Sequence, residues 1–373
     1  MNAKTRFMNA LQLKPVDRPP AAAVVTGITV GMMEKAGIYY PDAHHDAEQL
    51  AGLAASIWEY SHTEAIKLPF GMTPEVEVLG LEIDFGTHDT LPTDIRSALN
   101  HPNELEIPDD FFDRGRIPVV MEAISRLRER YDDEVVIISS SVGPFALSAK
   151  MFGFPNLFPW IINEPDYVHQ VMDTLTGLTM TMANTQLNAG ADVIVLGEAT
   201  CSGDLISPET YRDFILPHHK RLCAGINGPT ILHICGKSSG HLPYIAETGT
   251  TGYSFDEGID MAMARKYLKG KVAMAGYVPT VEVFLNGTPD LVYDASLECL
   301  GNGVDILAPG CSLPQHTTME NIAAMLRAAE DWGSSPAVHE NIPDIIRSLK
   351  PKKKRADNGS GERRRSRRPR TVS

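Results

Sequence analysis

Eight short runs of apolar, mostly β-branched residues are spaced along the chain, with polar or helical patterns between them. The runs are continuously apolar rather than alternating, which is typical of parallel strands that are buried on both faces. They start at residues 21, 65, 135, 192, 229, 252, 271 and 304 and are AAAVV, AIKLP, VVIISSS, DVIVL, PTILHI, GYSF, KVAMAG and VDILAPG. This pattern predicts eight parallel strands.

Most of the intervening segments have the periodicity of amphipathic helices. One begins near Glu164 and stops at Gly190, and another starts at Ser207, a predicted N-cap that is followed by proline. Strands alternating with helices predict an α/β protein, a single-domain (β/α)₈ TIM barrel over residues 1–340 with an N-terminal helical extension. An open doubly wound sheet is the alternative, but no GxGxxG turn follows the first run.

One segment departs from this alternation. Residues 80–113 are polar and contain proline, and they predict an insertion that covers one face of the domain. The N-terminus lacks the apolar core of a secretory signal, and no apolar run reaches the length of a membrane span. Five widely spaced cysteines do not indicate a disulfide framework. We therefore expect a cytoplasmic protein with reduced thiols and no membrane partner.

Charge is distributed unevenly along the chain. The net charge is −13, but residues 351–373 hold ten Lys/Arg against two acids, and residues 1–350 carry 24 basic and 45 acidic side chains. The basic segment has no hydrophobic periodicity, and we predict a disordered tail. The acidic main body argues against nucleic acid as its ligand.

Candidate chemistry lies at the ends of the fifth and eighth runs. His233 and Cys235 end the fifth run two residues apart, so their side chains share a side of the strand, and Cys311 follows the eighth. In a barrel all strand ends converge on one mouth, where these three could meet. The alternative is that His233 and Cys311 are ordinary core residues. The same applies to Cys223 and Cys299, which lie in helical patterns, whereas Cys201 follows the fourth run.

Two thiolates and an imidazole with one open position are a typical ligand set for catalytic zinc, since sulfur ligands favour Zn²⁺ over Mg²⁺ or Ca²⁺. A metal with two thiolate ligands is well suited to hold an incoming thiol as a thiolate, because coordination deprotonates it. The hypothesis is therefore alkyl transfer to a thiol.

Eight segments between about residues 4 and 326 carry a resemblance to a known family: ALQLKPVDRPPAAAV, GIYYPDAHHDAEQLAGLA, IKLPFGMTPEVEVLG, RGRIPVVMEAI, GPFALSA, NAGADVIVLGEATCSGDLISPETYRDFILPHHKRL, ILHICGKS and DILAPGCSLP. With these segments the sequence resembles the uroporphyrinogen decarboxylase superfamily, and within it the methylcobamide:coenzyme M methyltransferases. HICG together with PGC separates the zinc methyltransferases from the decarboxylases. The arginine-rich segment with which true decarboxylases grip porphyrin carboxylates is replaced here by TGITVGMMEKAGIYYP, with Lys35 as its only basic residue.

The resemblance implies a zinc site at His233, Cys235 and Cys311. It also implies methyl transfer from a methylcobamide, carried by a partner corrinoid protein, to the thiol of coenzyme M. An acidic residue after the sixth run is expected to bind zinc until the thiol displaces it. Asp256 occupies that place, where a strand-end cap or an ion pair is the alternative role. No Asp-x-His-x-x-Gly cobalamin motif is present, so the corrinoid is expected on a separate protein.

Three further strand-end residues are candidates for orienting the thiol or its sulfonate. Glu198 and Ser202 follow the fourth run and Ser141 ends the third. Each could instead cap the next helix. Two other hypotheses remain open: the same chemistry with another thiol, such as homocysteine, and a non-catalytic relative that binds a corrinoid or a metal.

Overall fold

Parallel strands form the centre of the protein. The computed structural model describes residues 1–334, so the predictions for residues 335–340 and for the basic tail at 351–373 lie outside the described residues. The strands of residues 1–334 are β1 (Ala65–Lys67), β2 (Ile83–Asp84), β3 (Thr93–Asp94), β4 (Val136–Val142), β5 (Val193–Gly197), β6 (Thr230–Ile234), β7 (Gly252–Phe255), β8 (Ala273–Val278) and β9 (Ile306–Pro309).

Helices fill most of the connections between the strands. The α-helices are α1 (Ala3–Leu11), α2 (Val30–Ala36), α3 (Ala47–Ser61), α4 (Pro74–Val78), α5 (Ile117–Tyr131), α6 (Pro144–Phe152), α7 (Phe154–Asn163), α8 (Pro165–Ala189), α9 (Pro208–Thr210), α10 (Leu216–Gly225), α11 (Leu242–Ile245), α12 (Met261–Leu268), α13 (Pro289–Gly301) and α14 (Met319–Ser334). Tyr211–Ile215 and Thr280–Leu285 are π-helical, and short 3₁₀ turns span Asp42–His44, Pro102–Glu104, Phe111–Asp113, Ala199–Cys201 and Ser239–His241. None of the helices in residues 1–334 is long and apolar enough to cross a membrane.

Seven strands pair in the order β1-β4-β5-β6-β7-β8-β9, and all these pairs are parallel. The order along the sheet is thus the order along the chain. A doubly wound sheet reverses its order at a switch point, and this sheet has no reversal, so that alternative is wrong. Seven of the eight predicted strands are present.

The first predicted strand, AAAVV from Ala21, is the exception. It forms one isolated parallel bridge, Ala21 to Leu307, instead of a strand. Pro19 and Pro20 precede it and have no N–H groups, so they cannot donate to a ladder on the N-terminal side of Ala21. The segment still contacts both edges of the sheet: the Ala22 N–H donates to Leu307 O (3.0 Å), and the Glu64 N–H donates to Ala21 O (2.8 Å).

Side chains alternate between two buried faces along each strand. Ile138, Val195 and Ile231 pack in one apolar cluster with Phe7 and Leu11 of α1. Their chain neighbours pack in a second cluster against the outer helices. The predicted N-terminal helical extension, α1, therefore lies against the inner face of the sheet. Because the period is two, His233 has the same parity as Ile231 and belongs to that inner face.

The predicted insertion at residues 80–113 contains the two-stranded antiparallel hairpin of β2 and β3, with Ile83 opposite Asp94. Leu91 and Pro92, just before β3, line a cavity that also contacts His233. The insertion thus covers the part of the molecule where the candidate chemistry lies.

His44 predicts a measurable dependence of stability on pH. It is 1% exposed, stacks on Tyr40 at 4.5 Å, and neither ring nitrogen has a hydrogen-bond partner within the described residues. Burial, with a contribution from Arg116, lowers the pKa of His44 to about 3. Above pH 6.5 the imidazole is neutral in both states. Below it, only the unfolded chain takes up the proton, so the free energy of unfolding should fall by about 1.4 kcal/mol per pH unit.

Urea unfolding between pH 7 and pH 4 measures this contribution. His44→Phe keeps an aromatic ring on Tyr40 and removes the titrating group, so its unfolding free energy should decline less steeply with acid than that of the wild type. His45→Phe, at the exposed next position, is the matched control. Equal slopes for wild type and His44→Phe would contradict the prediction.

Candidate metal centre

Three predicted ligands lie together at the carboxyl ends of the strands. His233 is the fourth residue of β6, Cys235 follows that strand directly, and Cys311 lies two residues beyond β9. His233 Nε2 is 3.1 Å from Cys235 Sγ and 3.6 Å from Cys311 Sγ, and the two sulfurs are 3.4 Å apart. The three side chains are called the metal triad below.

Sheet curvature makes this contact possible. β6 and β9 are separated by β7 and β8, so on a flat sheet the two strands would be about 14 Å apart. A sulfur–sulfur distance of 3.4 Å requires that the strand ends converge and that both side chains point inward. Gly310 permits the final approach, since a Cβ there would lie 2.9 Å from Asp256 Cα.

The donor atoms of the triad fit zinc. Tetrahedral Zn²⁺ with bonds of about 2.0 Å to nitrogen and 2.3 Å to sulfur places the nitrogen roughly 3.5 Å from each sulfur and the two sulfurs roughly 3.8 Å apart. The observed nitrogen–sulfur separations of 3.1 and 3.6 Å and the sulfur–sulfur separation of 3.4 Å are within about 0.4 Å of these values. One nitrogen and two sulfurs leave a fourth position free, which is the composition of a catalytic rather than a structural zinc site.

The two thiols of the triad titrate as a pair. The pKa of Cys311 is lowered, because it accepts hydrogen bonds from the Cys235 thiol and from His233. The pKa of Cys235 is raised, because it donates to Cys311 and because it is buried. One sulfur is therefore readily ionised while the other keeps its proton, so the triad presents a thiolate to a soft cation.

Ser254 holds the His233 ring in place. It lies on β7, directly opposite His233 in the register, and its Oγ is 3.0 Å from His233 Nδ1. Since Nδ1 is engaged in this way, Nε2 is the nitrogen that faces the two sulfurs. Such a partner fixes the orientation of a ligating imidazole. The sequence analysis did not identify Ser254, because the strand register is not visible in a single sequence.

Asp256 follows β7 and lies beside the triad. Its Oδ2 accepts a hydrogen bond from the Gly236 N–H, and its Oδ1 accepts one from the Gly258 N–H (2.9 Å). Its negative charge contributes to the raised pKa of Cys235. Its oxygens are not part of the group of ligand atoms, all within 4.8 Å of one another, that His233, Cys235 and Cys311 form.

A cavity of about 200 Å³ opens next to the triad and includes His233 in its wall. The other lining residues come from several strand ends and loops: Val25, Thr26, Lys67, Gly71, Met72, Leu91, Pro92, Ser140, Val195, Gly197 and Ser312. This volume is smaller than a drug-sized pocket of about 300–1,000 Å³, so it suits a ligand of few atoms.

Within residues 1–334, Lys67 is the one charged lining residue of this cavity besides His233, and the sequence analysis did not identify it. It ends β1, is 4% exposed, and donates from Nζ to Leu68 O at 2.8 Å. Burial lowers its pKa to about 7. The signal in the sequence was a charged residue inside the apolar run AIKLP, at a position with the same parity as the inward-facing Ala65.

Ser140 and Ser141 face opposite sides of β4. Ser140 lines the cavity. The Ser141 hydroxyl accepts a hydrogen bond from Gln186 of α8 at 3.1 Å, so the structure places this predicted residue on the helix-facing side. Ser202 lies nearer the triad: its Oγ contacts Asp204 at 3.3 Å, and a Cβ on Gly236 would be 2.6 Å from it.

Glu198, 0% exposed, lies beneath the mouth in a network of its own. It accepts hydrogen bonds from the Phe145 N–H (3.2 Å) and the Ala146 N–H (2.8 Å) in the first turn of α6. His219 Nε2 is 2.9 Å from Glu198 Oε1. The Cys201 thiol donates to Oε2 at 3.5 Å, and its pKa is raised by burial and by this carboxylate.

The remaining cysteines lie in helices, as predicted. Cys223 belongs to α10 and Cys299 to α13. Burial raises the pKa of both thiols, to about 11 for Cys223 and about 12 for Cys299. Neither of these two cysteines lies at the strand ends where the triad is.

Comparison with known proteins agrees with this geometry. Residues 2–332 match the family model of uroporphyrinogen decarboxylase (URO-D). Methylcobamide:CoM methyltransferase MtaA of Methanosarcina barkeri is 34% identical over 333 residues, covering 88% of this chain and 98% of that protein. The methylated-thiol–coenzyme M methyltransferase of Methanosarcina mazei is 34% identical, with 94% of each chain covered.

A solved methyltransferase structure from Methanosarcina mazei superposes with a TM-score of 0.86 at 32% identity, and the match covers 89% of this chain and 99% of that one. The predicted relationship is confirmed: the chain belongs to the uroporphyrinogen decarboxylase family, in the branch of the methylcobamide:coenzyme M methyltransferases.

Proposed function

We propose that this protein transfers a methyl group from a methylcobamide, carried by a partner corrinoid protein, to the thiol of coenzyme M. The observation that carries the proposal is the metal triad at the strand ends, with its nitrogen and two sulfurs within 3.6 Å of one another. The names of the relatives agree with this chemistry. The proposal takes the seven strands and the Ala21 segment together as a (β/α)₈ barrel, whose chemistry lies at the carboxyl ends of its strands.

In this proposal His233, Cys235 and Cys311 hold one zinc ion. Bound zinc supplies a Lewis acid that lowers the pKa of a coordinating thiol, so that the substrate sulfur is available as a thiolate at neutral pH. The sulfur lone pair forms the new S–CH₃ bond, the cobalt–carbon bond breaks with its electron pair left on cobalt, and the thiol proton is released. Ser254 keeps the His233 ring oriented, and the cavity aligns the thiol for this displacement.

Asp256 is proposed as an exchangeable fourth ligand. To bind the metal, its carboxylate would have to leave the Gly236 and Gly258 amides that it accepts from. That cost makes it a weak ligand that an incoming thiol can displace. Ser202 is proposed to support the Gly236 turn behind Cys235. Glu198 and Ser141, which both face away from the cavity, are proposed to act on the substrate only through the elements that they position.

A direct assay separates this function from its alternatives. The purified full-length protein should contain one zinc per chain, and it should methylate coenzyme M from methylcobalamin at least about tenfold faster than homocysteine. Chelation of the metal should abolish both reactions. Faster methylation of homocysteine would favour the other thiol acceptor. Bound zinc with no methylation of either thiol would leave the non-catalytic relative as the explanation.

A further inference from the structure

The amino group of Lys67 is buried and has no counter-ion among the described residues. Its side chain is 4% exposed, and within residues 1–334 it makes no ion pair with a carboxylate. Its neighbours are the Leu68 carbonyl at 2.8 Å and the Phe70 ring, whose centroid is 5.3 Å from Nζ. Removing an ammonium group from water without pairing its charge is costly, so a fully buried lysine is rare unless an anion pairs with it. A bound ligand can supply that anion.

The residues that line the cavity around Lys67 are suited to bind an anion. Thr26, Ser140 and Ser312 line the same cavity, and their hydroxyls make no hydrogen bond to any other described residue. None of the lining residues is acidic. One amino group and three residues with unpaired hydroxyls therefore line a small volume that has no carboxylate in its wall. Hydrogen bonds from a charged donor to an anion are stronger than hydrogen bonds between neutral groups.

The position of Lys67 also fits a ligand with two ends. Lys67 lies on β1 and His233 on β6, and both line one cavity of about 200 Å³. A ligand that contacts both must be short, with an anionic group at one end and a group for the metal triad at the other. A thiol and a sulfonate joined by two carbons meet this requirement.

We propose that Lys67 binds the anionic end of the thiol substrate, with the sulfonate on its ammonium and the hydroxyls of Thr26, Ser140 and Ser312, and with the thiol directed to the metal triad. This inference rests on the proposed function and deepens it. It also predicts weaker binding of homocysteine: its carboxylate could pair with Lys67, but its ammonium group would enter a cavity whose wall has no carboxylate to pair with it.

The test compares a charged and a neutral thiol in wild type and Lys67→Met, with methylcobalamin as donor. The KM for coenzyme M should rise roughly 30- to 100-fold in the variant, because a charge-assisted contact is lost. The KM for 2-mercaptoethanol, which lacks the sulfonate, should change by less than about threefold, and the zinc content should stay at one per chain. Equal effects on the two thiols, or no effect on either, would overturn the inference.

Lys237→Met is the matched control. Lys237 also lies near the mouth, but its side chain is 77% exposed and it pairs with Asp204 at 3.2 Å. Its loss should leave the KM for coenzyme M within about twofold of the wild type. If Lys237→Met raised that KM as much as Lys67→Met, general attraction of anions would explain the data, and the specific contact at Lys67 would be refuted.

A binding measurement keeps the inference separate from the proposed function. Ethanesulfonate has no thiol and needs no metal, so it should raise the Tm of wild type and not that of Lys67→Met. Lys67→Met itself should be at least as stable as the wild type, since it removes an unpaired buried charge. If the wild type methylates no thiol yet is stabilised by ethanesulfonate, the proposed function fails and the anion site stands. If ethanesulfonate stabilises neither protein, the anion site is refuted.

Discussion

Cys311→Ser should cost the protein its zinc and reduce methyl transfer to coenzyme M by at least about 10³-fold. The serine hydroxyl is not deprotonated at neutral pH and is a hard oxygen donor, so the variant keeps one sulfur and one nitrogen for a soft cation. Cys311 Sγ is within 3.6 Å of both other ligand atoms, so its loss leaves the set incomplete. Metal analysis of the purified protein and the rate of methylcobalamin demethylation measure the two effects.

Cys235→Ser should have the same outcome, and the double variant should be no worse than either single one, because the ligands act as a unit. Cys223→Ser makes the same chemical change in α10, away from the mouth, and should keep both zinc and activity. If Cys311→Ser still bound one zinc per chain and methylated coenzyme M at the wild-type rate, the triad would not be the metal site of the reaction.

The convergence of the triad could be predicted from sequence because it depends on topology alone. His233, Cys235 and Cys311 each end an apolar run, and parallel strands put their carboxyl ends on one side. The order of the strands is enough to predict that the three side chains lie at the same end of the sheet. The structure then adds the distances, which depend on how tightly the sheet curls.

Side-chain parity was harder to predict. Ser140 and Ser141 are adjacent in a run of three serines, and an error of one residue exchanges the cavity face for the helix face. The packing of Ile138 in the inner cluster and the hydrogen bond from Gln186 to Ser141 show which serine points inward. For the same reason Lys67 could have been found from the parity of Ala65 and Lys67, once one residue of β1 was known to face inward.

The first predicted strand is wrong as a strand. Its composition, AAAVV, is that of a buried strand, but it forms a single bridge at Ala21, and the two prolines before it cannot donate to a ladder on that side. Asp256 shows a different limit. Its place after β7 was predictable, whereas its hydrogen bonds to the Gly236 and Gly258 amides depend on loop conformations that a sequence pattern does not specify.

Glu198→Ala should lower the free energy of unfolding by about 3–5 kcal/mol, the usual cost of removing one partner from a buried charged network. The carboxylate is 0% exposed and bonds the Phe145 and Ala146 amides and His219. Alanine would leave all three groups unpaired in the core. Glu198→Gln keeps the shape of the side chain and one acceptor oxygen, but its NH₂ group would face one of the two amide N–H donors, so it should cost less than alanine without matching the wild type. Urea unfolding of the three proteins at pH 7 measures the difference.

The experiment also distinguishes the two roles that the sequence allowed for Glu198. If it positions α6, stability falls in Glu198→Ala, while Glu198→Gln keeps a KM for coenzyme M close to that of the wild type. If it binds the substrate, unfolding is little changed and that KM rises in both variants. Glu48→Ala is the matched control: its carboxylate is 75% exposed and pairs with Arg126, so its loss should change stability by less than about 1 kcal/mol. The geometry favours the first role, because each Glu198 oxygen is already engaged within the fold and neither faces the cavity that holds Lys67 and His233.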